Sequence, residues 1–173
     1  MNHDHYSDDY ISGILHEVKS VAILGASANE VRPSFFVLKY LIDKGYTVHA
    51  INPGHAGKPI DRAMTYASLA DLPEPVDMID IFRASNAVPG ITDAILALPW
   101  RPTVVWMQLT VRDDESAARL EAEGIKVVMN RCPKIEYGRL SREIGWNGIN
   151  SGQISSRRPV LRAGFQSLGI RKP

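Results

Sequence analysis

Short apolar runs alternate with amphipathic stretches over most of this chain. Five runs have the continuous apolar character of buried strands, and they span residues 21–24, 46–51, 76–82, 103–107 and 125–129. Between them, apolar residues recur at helical spacing in segments that begin near Pro33, Ala87 and Asp113. Strands that alternate with helices predict βαβ units. We therefore expect an α/β fold, a doubly wound domain with a parallel sheet of about five strands.

The two ends of the chain depart from this pattern. Residues 1–17 contain a lead-in helix, because Ile11, Ile14 and Leu15 recur at helical spacing. After about residue 140 the chain becomes rich in glycine, serine and arginine. We therefore divide it into a domain over residues 1–140 and a C-terminal extension over residues 141–173.

Composition excludes several classes of protein. Twenty basic residues against nineteen acidic ones give no net field that would attract nucleic acid or an anionic membrane. The single cysteine, Cys132, excludes an internal disulfide framework and fits a reducing compartment. No apolar run approaches the roughly 20 residues that span a bilayer, and the polar start is unlike a signal peptide. We expect a cytoplasmic protein.

Each predicted strand is followed by turn formers, hydrogen-bonding side chains or a cation. These groups are Gly25-Ala26-Ser27, Asn52-Pro53-Gly54-His55, Phe82-Arg83, Gln108-Leu109-Thr110 and Asn130-Arg131-Cys132. Polar residues are common in surface loops, so one such group alone indicates little. In open α/β sheets, however, ligands bind outside the carboxyl ends of the strands. A glycine turn between a strand and a helix also presents backbone N–H groups to phosphate. Together the five groups predict one site for a nucleotide-like ligand.

Two familiar motifs match the first turn only partly. Of the dinucleotide motif G-x-G-x-x-G, the chain keeps Gly25 but has Ser27 at the second glycine, and Asn52 replaces the acidic residue that binds a ribose. The nucleophile elbow G-x-S-x-G lacks its last glycine, since Asn29 stands there, and all five histidines precede the middle of the chain. We therefore assign the Ser27 hydroxyl to phosphate binding rather than to nucleophilic catalysis.

Six short motifs follow one another in the order that is typical of a known family. They lie at residues 21–27, 32–34, 51–54, 72–77, 105–109 and 130–133. Together they resemble the small stand-alone CoA-binding proteins, a family similar to the N-terminal CoA-binding domain of the succinyl-CoA synthetase α subunit. The resemblance covers residues 15–140. It implies a Rossmann-like domain that holds the ADP part of CoA, or of an acyl-CoA, across the strand ends.

The resemblance also implies which residues contact the coenzyme. The pyrophosphate loop would be Gly25, Ala26, Ser27, Ala28 and Asn29, with Arg32 and Ser34 close by. The adenosine and its 3′-phosphate would lie at Asn52, Pro53, Gly54 and His55, with Lys58 as a source of positive charge. The adenine or phosphate side would include Phe82 and Arg83. The pantetheine arm would follow Met107, Gln108 and Leu109, and the last strand end would add Asn130, Arg131 and Cys132. Many relatives carry glycine in place of Thr110, whose side chain would narrow the channel.

Few residues suit catalysis. His49 lies inside a predicted strand and fits a satisfied core residue, while His3 and His5 belong to a terminus that we expect to be mobile. Cys132 could become a thiolate beside Arg131 or Lys134, although a buried inert cysteine is the commoner state. We expect a CoA or acyl-CoA binding protein without catalysis of its own, with a protein partner or a second copy of itself still open. The alternative is an NAD(P)-linked enzyme or a partner-dependent enzyme that uses acyl-CoA.

Overall fold

The computed structural model describes residues 1–141, and these form one sheet with helices on both of its faces. The helices are α1 (Asp8–Glu17), α2 (Pro33–Asp43), α3 (Val88–Leu96), α4 (Asp114–Ala122) and α5 (Pro133–Leu140). The strands are β1 (Ser20–Leu24), β2 (Thr47–Ile51), β3 (Pro59–Ile60), β4 (Ala63–Tyr66), β5 (Met78–Ile81), β6 (Val104–Met107) and β7 (Lys126–Val128). The α/β, Rossmann-like class expected from the sequence is confirmed.

The strand order places a reversal at the centre of the sheet. The order is β3-β4-β2-β1-β5-β6-β7, and every pair is parallel except β3 with β4. In β1, Val21 pairs with Val48 on one side and with Met78 on the other. The chain leaves β1 for α2 on one face and leaves β5 for α3 on the opposite face. This divergence opens a crevice at the carboxyl ends of β1 and β5.

Both faces of the sheet are covered by an apolar core. One core packs α1, α2 and α5 against the sheet, with Leu38, Leu41 and Trp106 fully buried. The other packs α3 and α4 on the opposite face around Ile79 and Ile95. Every residue of β5 and β6 is buried, as parallel strands require when helices cover both faces. The Trp106 ring is part of the core, and its Nε1 donates a hydrogen bond to the Arg131 carbonyl at 2.8 Å.

The described sheet has seven strands where the sequence predicts about five. The two extra strands are β3 and β4, which form a short antiparallel ladder beside β2. β3 has only two residues and begins at Pro59, which cannot donate to a ladder, so its pattern is too short to indicate a strand. Helix α5 is also absent from the sequence prediction, although Pro133 at its first position is a known start signal.

Two histidines differ from their expected settings. The terminus around His3 is packed rather than mobile, because His3 is buried with its Nδ1 2.9 Å from the Tyr6 hydroxyl. That hydroxyl also accepts the Met129 N–H at 2.8 Å. His49 is buried as expected, and burial lowers its pKa, but its Nε2 has no hydrogen-bond partner within residues 1–141.

The described helices include none long and apolar enough to cross a membrane. The predicted C-terminal extension over residues 141–173 lies, except for Ser141, outside the described residues.

Candidate ligand-binding site

The ends of β1 and β5 approach each other so closely at Gly25 that no side chain fits there. Gly25 has a φ of +92°, and a Cβ built on it would lie 2.5 Å from the Phe82 carbonyl oxygen and 3.0 Å from the Arg83 side chain. Only glycine combines this backbone angle with this contact. The two strand ends thus form the floor of the crevice between the sheet's diverging halves.

A first cavity of about 820 Å³ opens over this floor. Its walls are the β1 turn, the start of α2, the end of β2, the loop 67–70 and one side of α3. The polar side chains among them belong to Ser27, Arg32, Ser34, Asn52, Ser68 and Arg83. Among the described residues, no aspartate or glutamate lines it. Two guanidinium groups without a carboxylate among the lining residues suit an anionic ligand.

Arg32 and Arg83 are exposed, and neither guanidinium pairs with a carboxylate of residues 1–141. Other arginines away from the cavity do pair, as Arg62 does with Asp43 and Asp61. Guanidinium groups form charge-assisted, bidentate hydrogen bonds to phosphate. The two arginines at the crevice can therefore bind phosphate, and neither has a carboxylate partner within residues 1–141.

The N-terminus of α2 adds a backbone donor to the same wall. Arg32 occupies the N-cap position without a side-chain hydrogen bond to the helix, and Pro33 follows at the first turn. Ser34, also in that turn, lines the first cavity. Because Pro33 has no N–H and the Phe35 N–H donates to the Arg32 carbonyl at 3.0 Å, this turn offers an anion the Ser34 N–H and the positive end of the helix dipole.

Local hydrogen bonds fix the loops around the crevice. The Ser27 hydroxyl accepts the Asn29 N–H at 3.2 Å, and the Asn29 side chain accepts the Val31 N–H at 3.1 Å. Asn52 joins two loops, since its Nδ2 donates to the Ala26 carbonyl at 2.8 Å and its Oδ1 accepts the Gly54 N–H at 2.9 Å. The side chains of Asn29 and Asn52 therefore fix the conformation of the loops. The Ser27 hydroxyl acts as an acceptor in its bond, so its O–H can still donate to a ligand.

A second cavity of about 690 Å³ lies on the other side of the crevice, between the starts of α2 and α5. Pro33, Phe82 and Arg83 line both cavities. The second is otherwise lined by Val31, Phe36, Val37, Ala84, Ser85, Gln108, Leu109, Thr110, Val111, Cys132, Lys134 and Ile135. The two cavities thus adjoin over the ends of β1 and β5, so that one elongated ligand has space in both.

A buried acid lies next to the second cavity. Asp80 in β5 is completely buried, and Gln108, which lines the cavity, donates its Nε2 to both Asp80 oxygens at 3.0 Å. Burial raises the pKa of Asp80 to about 8, and the Gln108 hydrogen bond opposes that rise only in part. The carboxyl is therefore mostly protonated at neutral pH.

The surroundings of Cys132 differ from those of an activated thiol. Cys132 is buried at the N-cap of α5, and burial raises the pKa of its thiol, which stays protonated at neutral pH. Burial also lowers the pKa of Lys134. Arg131 is engaged elsewhere, since its guanidinium lies over the Tyr6 ring and 3.9 Å from a Glu136 carboxylate oxygen.

The structure brings most, but not all, of the proposed contact residues to the two cavities. The lining residues among them are Gly25, Ala26, Ser27, Arg32, Ser34, Asn52, Pro53, Phe82, Arg83, Gln108, Leu109 and Cys132. Those that line neither cavity are Ala28, Asn29, Gly54, His55, Lys58, Met107, Asn130 and Arg131. Met107 is fully buried in the sheet, and His55 lies with its Nε2 3.3 Å from the Pro59 carbonyl.

One wall of the first cavity is missing from the sequence prediction. It is formed by Ala87 at the N-cap of α3 and by Gly90, Ile91 and Ala94 of the helix. The small residues Ala87, Gly90 and Ala94 leave room beside the sheet. Their spacing of three and four residues places them on one helix face, and this was the available signal. The loop 67–70 completes the wall without a comparable signal.

Comparisons with known proteins agree with this fold. Residues 19–138 match the family described as CoA binding domain. The uncharacterised protein YneT of Bacillus subtilis is 30% identical over 130 residues, which cover 73% of this chain and 91% of YneT. A solved Thermus thermophilus structure is 37% identical, with a TM-score of 0.72 over 78% of this chain and 98% of that one. A hypothetical protein from Pyrococcus horikoshii is 28% identical, with a TM-score of 0.72 over 79% of this chain and 94% of its own. The chain belongs to the CoA-binding domain family.

Proposed function

We propose that this protein binds CoA with the ADP end in the first cavity and the pantetheine arm directed over the strand ends into the second. The observation that carries the proposal is the charge of the first cavity. Arg32 and Arg83 line it, no carboxylate does, and neither guanidinium pairs with a carboxylate within the described residues. CoA has three phosphate groups, and a cavity of this kind suits them.

Each part of the ADP moiety has a suitable wall. The pyrophosphate is assigned to Gly25–Ser27 and to the first turn of α2, where Arg32 and backbone N–H groups offer donors. The adenine is assigned to the space between α3 and Leu69, which is apolar. The 3′-phosphate is assigned to the Pro53 side, with the exposed Lys58 further along the same loop.

The local geometry favours CoA over NAD. A ribose of NAD normally binds an acidic side chain at the end of the second strand. Here that position holds Asn52, whose amide is committed to the Ala26 carbonyl and the Gly54 N–H. The NAD(P)-linked alternative therefore has no specific observation in its favour.

We place the activity in binding rather than in turnover. The Cys132 thiol beside the second cavity is protonated, and Lys134 lies over the Phe36 and Tyr40 rings. Residues 1–141 contain no cluster of three or more side chains that could hold a metal ion. A partner-dependent enzyme would instead show turnover only after a second polypeptide is added.

A thermal-shift and calorimetry panel tests the proposal. At a concentration one hundred times its Kd, CoA should raise the Tm by about 5–10 °C, since it binds the folded state alone. Dephospho-CoA should bind more weakly, because it lacks the 3′-phosphate, and NAD and NADP should shift the Tm less than CoA. A larger shift with a nicotinamide cofactor, or no shift with CoA, would overturn the assignment.

A further inference from the structure

The rim of the second cavity is unusually apolar. Within residues 1–141, five large apolar side chains are exposed, and Val31, Phe36 and Leu109 are three of them. All three line this cavity, with 76%, 41% and 49% of their surface exposed. Apolar groups gathered at the mouth of a cavity indicate a binding site for an apolar ligand or partner. The phosphates of CoA need no such surface.

The walls of this cavity distinguish it from the first. Ala84, Val111 and Ile135 add to its apolar surface, and among residues 1–141 no carboxylate lines it. Its cations are Arg83 at the boundary with the first cavity and Lys134, which is buried over the Phe36 and Tyr40 rings. The cavity is thus suited to an uncharged, apolar group attached to an anion in the cavity next to it.

From this juxtaposition we infer that the second cavity holds the acyl chain of an acyl-CoA, so that the ligand is a thioester with an apolar acyl group. The inference rests on the proposed function, because it assumes that the ADP end occupies the first cavity. Pro33, Phe82 and Arg83 border both cavities, so the pantetheine arm crosses there. Burial raises the pKa of the Cys132 thiol and disfavours the thiolate that would attack a thioester, so the inference concerns binding alone.

A series of ligands with increasing chain length tests the inference. Calorimetry with CoA and with acetyl-, butyryl-, hexanoyl- and octanoyl-CoA, on the full chain, should show affinity that rises about fourfold for each methylene that is buried. If CoA binds and the acyl-CoAs bind with the same affinity whatever their chain length, the acyl site is overturned and the proposed function stands. Failure of every ligand, CoA included, would overturn both.

A pair of matched variants locates the effect. Leu109→Ser removes apolar surface at the rim, whereas Met64→Ser removes a side chain of similar exposure, 47%, from β4, which lines neither cavity. Leu109→Ser should lower the ratio of octanoyl-CoA to CoA affinity at least about fourfold. Met64→Ser should leave that ratio unchanged. Equal effects of the two substitutions would overturn the placement of the chain.

The rim could instead be covered by a second copy of this chain. Sedimentation velocity without ligand distinguishes the two occupants. A monomer with affinity that depends on chain length supports the acyl site. A dimer that is disrupted by Leu109→Ser, with affinity independent of chain length, would replace the acyl site with a subunit interface.

Discussion

Gln108, at the end of the neighbouring strand, holds Asp80 because its Nε2 donates hydrogen bonds to both carboxyl oxygens at 3.0 Å each. Asp80 has no exposed surface, so an ionised carboxylate there would be a buried charge without a cationic partner in these bonds. The acid therefore stays protonated at neutral pH, where the pair contains no net charge. Its ionisation at alkaline pH should weaken the folded state.

We predict that Asp80→Asn changes the pH dependence of stability. Asp80 has a pKa of about 8 in the folded protein and about 4 in an unfolded chain, so the folded state binds the extra proton between these values. Its contribution to stability is complete below pH 4 and is lost as the pH rises to 8. Relative to the variant, the wild type should lose about 2 kcal/mol of unfolding free energy between pH 6 and pH 8.

Urea unfolding of the wild type and Asp80→Asn at pH 5, 6, 7 and 8 measures this effect. The difference at pH 5 serves as the internal reference for any change in packing. A difference in unfolding free energy that stays constant from pH 5 to pH 8 would show that Asp80 does not titrate in this range.

A second prediction concerns the contact between Gly25 and Phe82. Gly25→Ala should destabilise the protein for two reasons, the positive φ of +92° and the 2.5 Å approach to the Phe82 carbonyl oxygen. Gly45 offers a matched control, because it has the same φ of +92° but nothing within 4 Å of a built Cβ. Gly45→Ala should therefore cost about 1–2 kcal/mol for the backbone angle alone.

The difference between the two variants isolates the close approach. Chemical denaturation should show that Gly25→Ala costs about 1–3 kcal/mol more than Gly45→Ala. CoA affinity should also fall in Gly25→Ala and not in Gly45→Ala. Equal losses of stability would mean that β1 and β5 separate easily at this point.

A third prediction is that Thr110→Gly stabilises the protein. Thr110 has a φ of +69°, which is strained for a β-branched residue, and its N–H donates to the Asn130 side chain at 2.8 Å. Glycine relieves the strain and keeps that hydrogen bond. The expected gain is about 1 kcal/mol, or about 2–4 °C in Tm.

Thr103→Gly is the matched control, because the φ of Thr103 is not among the positive φ values of the described residues. This substitution should lower stability, since glycine gives the unfolded chain more conformational freedom. Differential scanning calorimetry on both variants tests the sign. Any loss of stability in Thr110→Gly would refute the prediction.

A fourth prediction assigns phosphate binding to Arg32. Arg32→Ala should weaken CoA binding about tenfold to a hundredfold, as expected for the loss of hydrogen bonds to a charged group. Arg62→Ala should leave CoA affinity unchanged, since Arg62 pairs with Asp43 and Asp61 and lines neither cavity. Titration calorimetry at two salt concentrations should also show a smaller salt dependence in Arg32→Ala. Equal affinities of the two variants would remove Arg32 from the site.

The apolar runs predict five strands because a strand that is buried on both faces has a continuous apolar sequence. This pattern is visible without knowing which strand lies next to it. β3 and β4 depend on each other and on β2, so their short segments carry little signal alone. Asp80 illustrates the same limit. Its position inside a predicted strand was visible, but its burial and its hydrogen bonds depend on Gln108 in a different part of the chain.

The predicted contact residues coincide with the cavity walls best where they follow a strand directly. Gly25, Asn52, Phe82 and Gln108 follow the ends of β1, β2, β5 and β6, and each lines a cavity. Residues farther along a loop, such as Lys58, do not, because a loop's path depends on contacts that no local pattern encodes. The sequence does not predict that Phe36 is exposed at the rim of the second cavity, because its position in α2 has the spacing of a residue that faces the core.

The pairing of β1 with β5 also sets an order for assembly. During synthesis, β1 can pair with β2 soon after both emerge from the ribosome. Its other edge stays unpaired until β5, which comes more than fifty residues later, has been synthesised. Until then the nascent chain has half a sheet and no crevice.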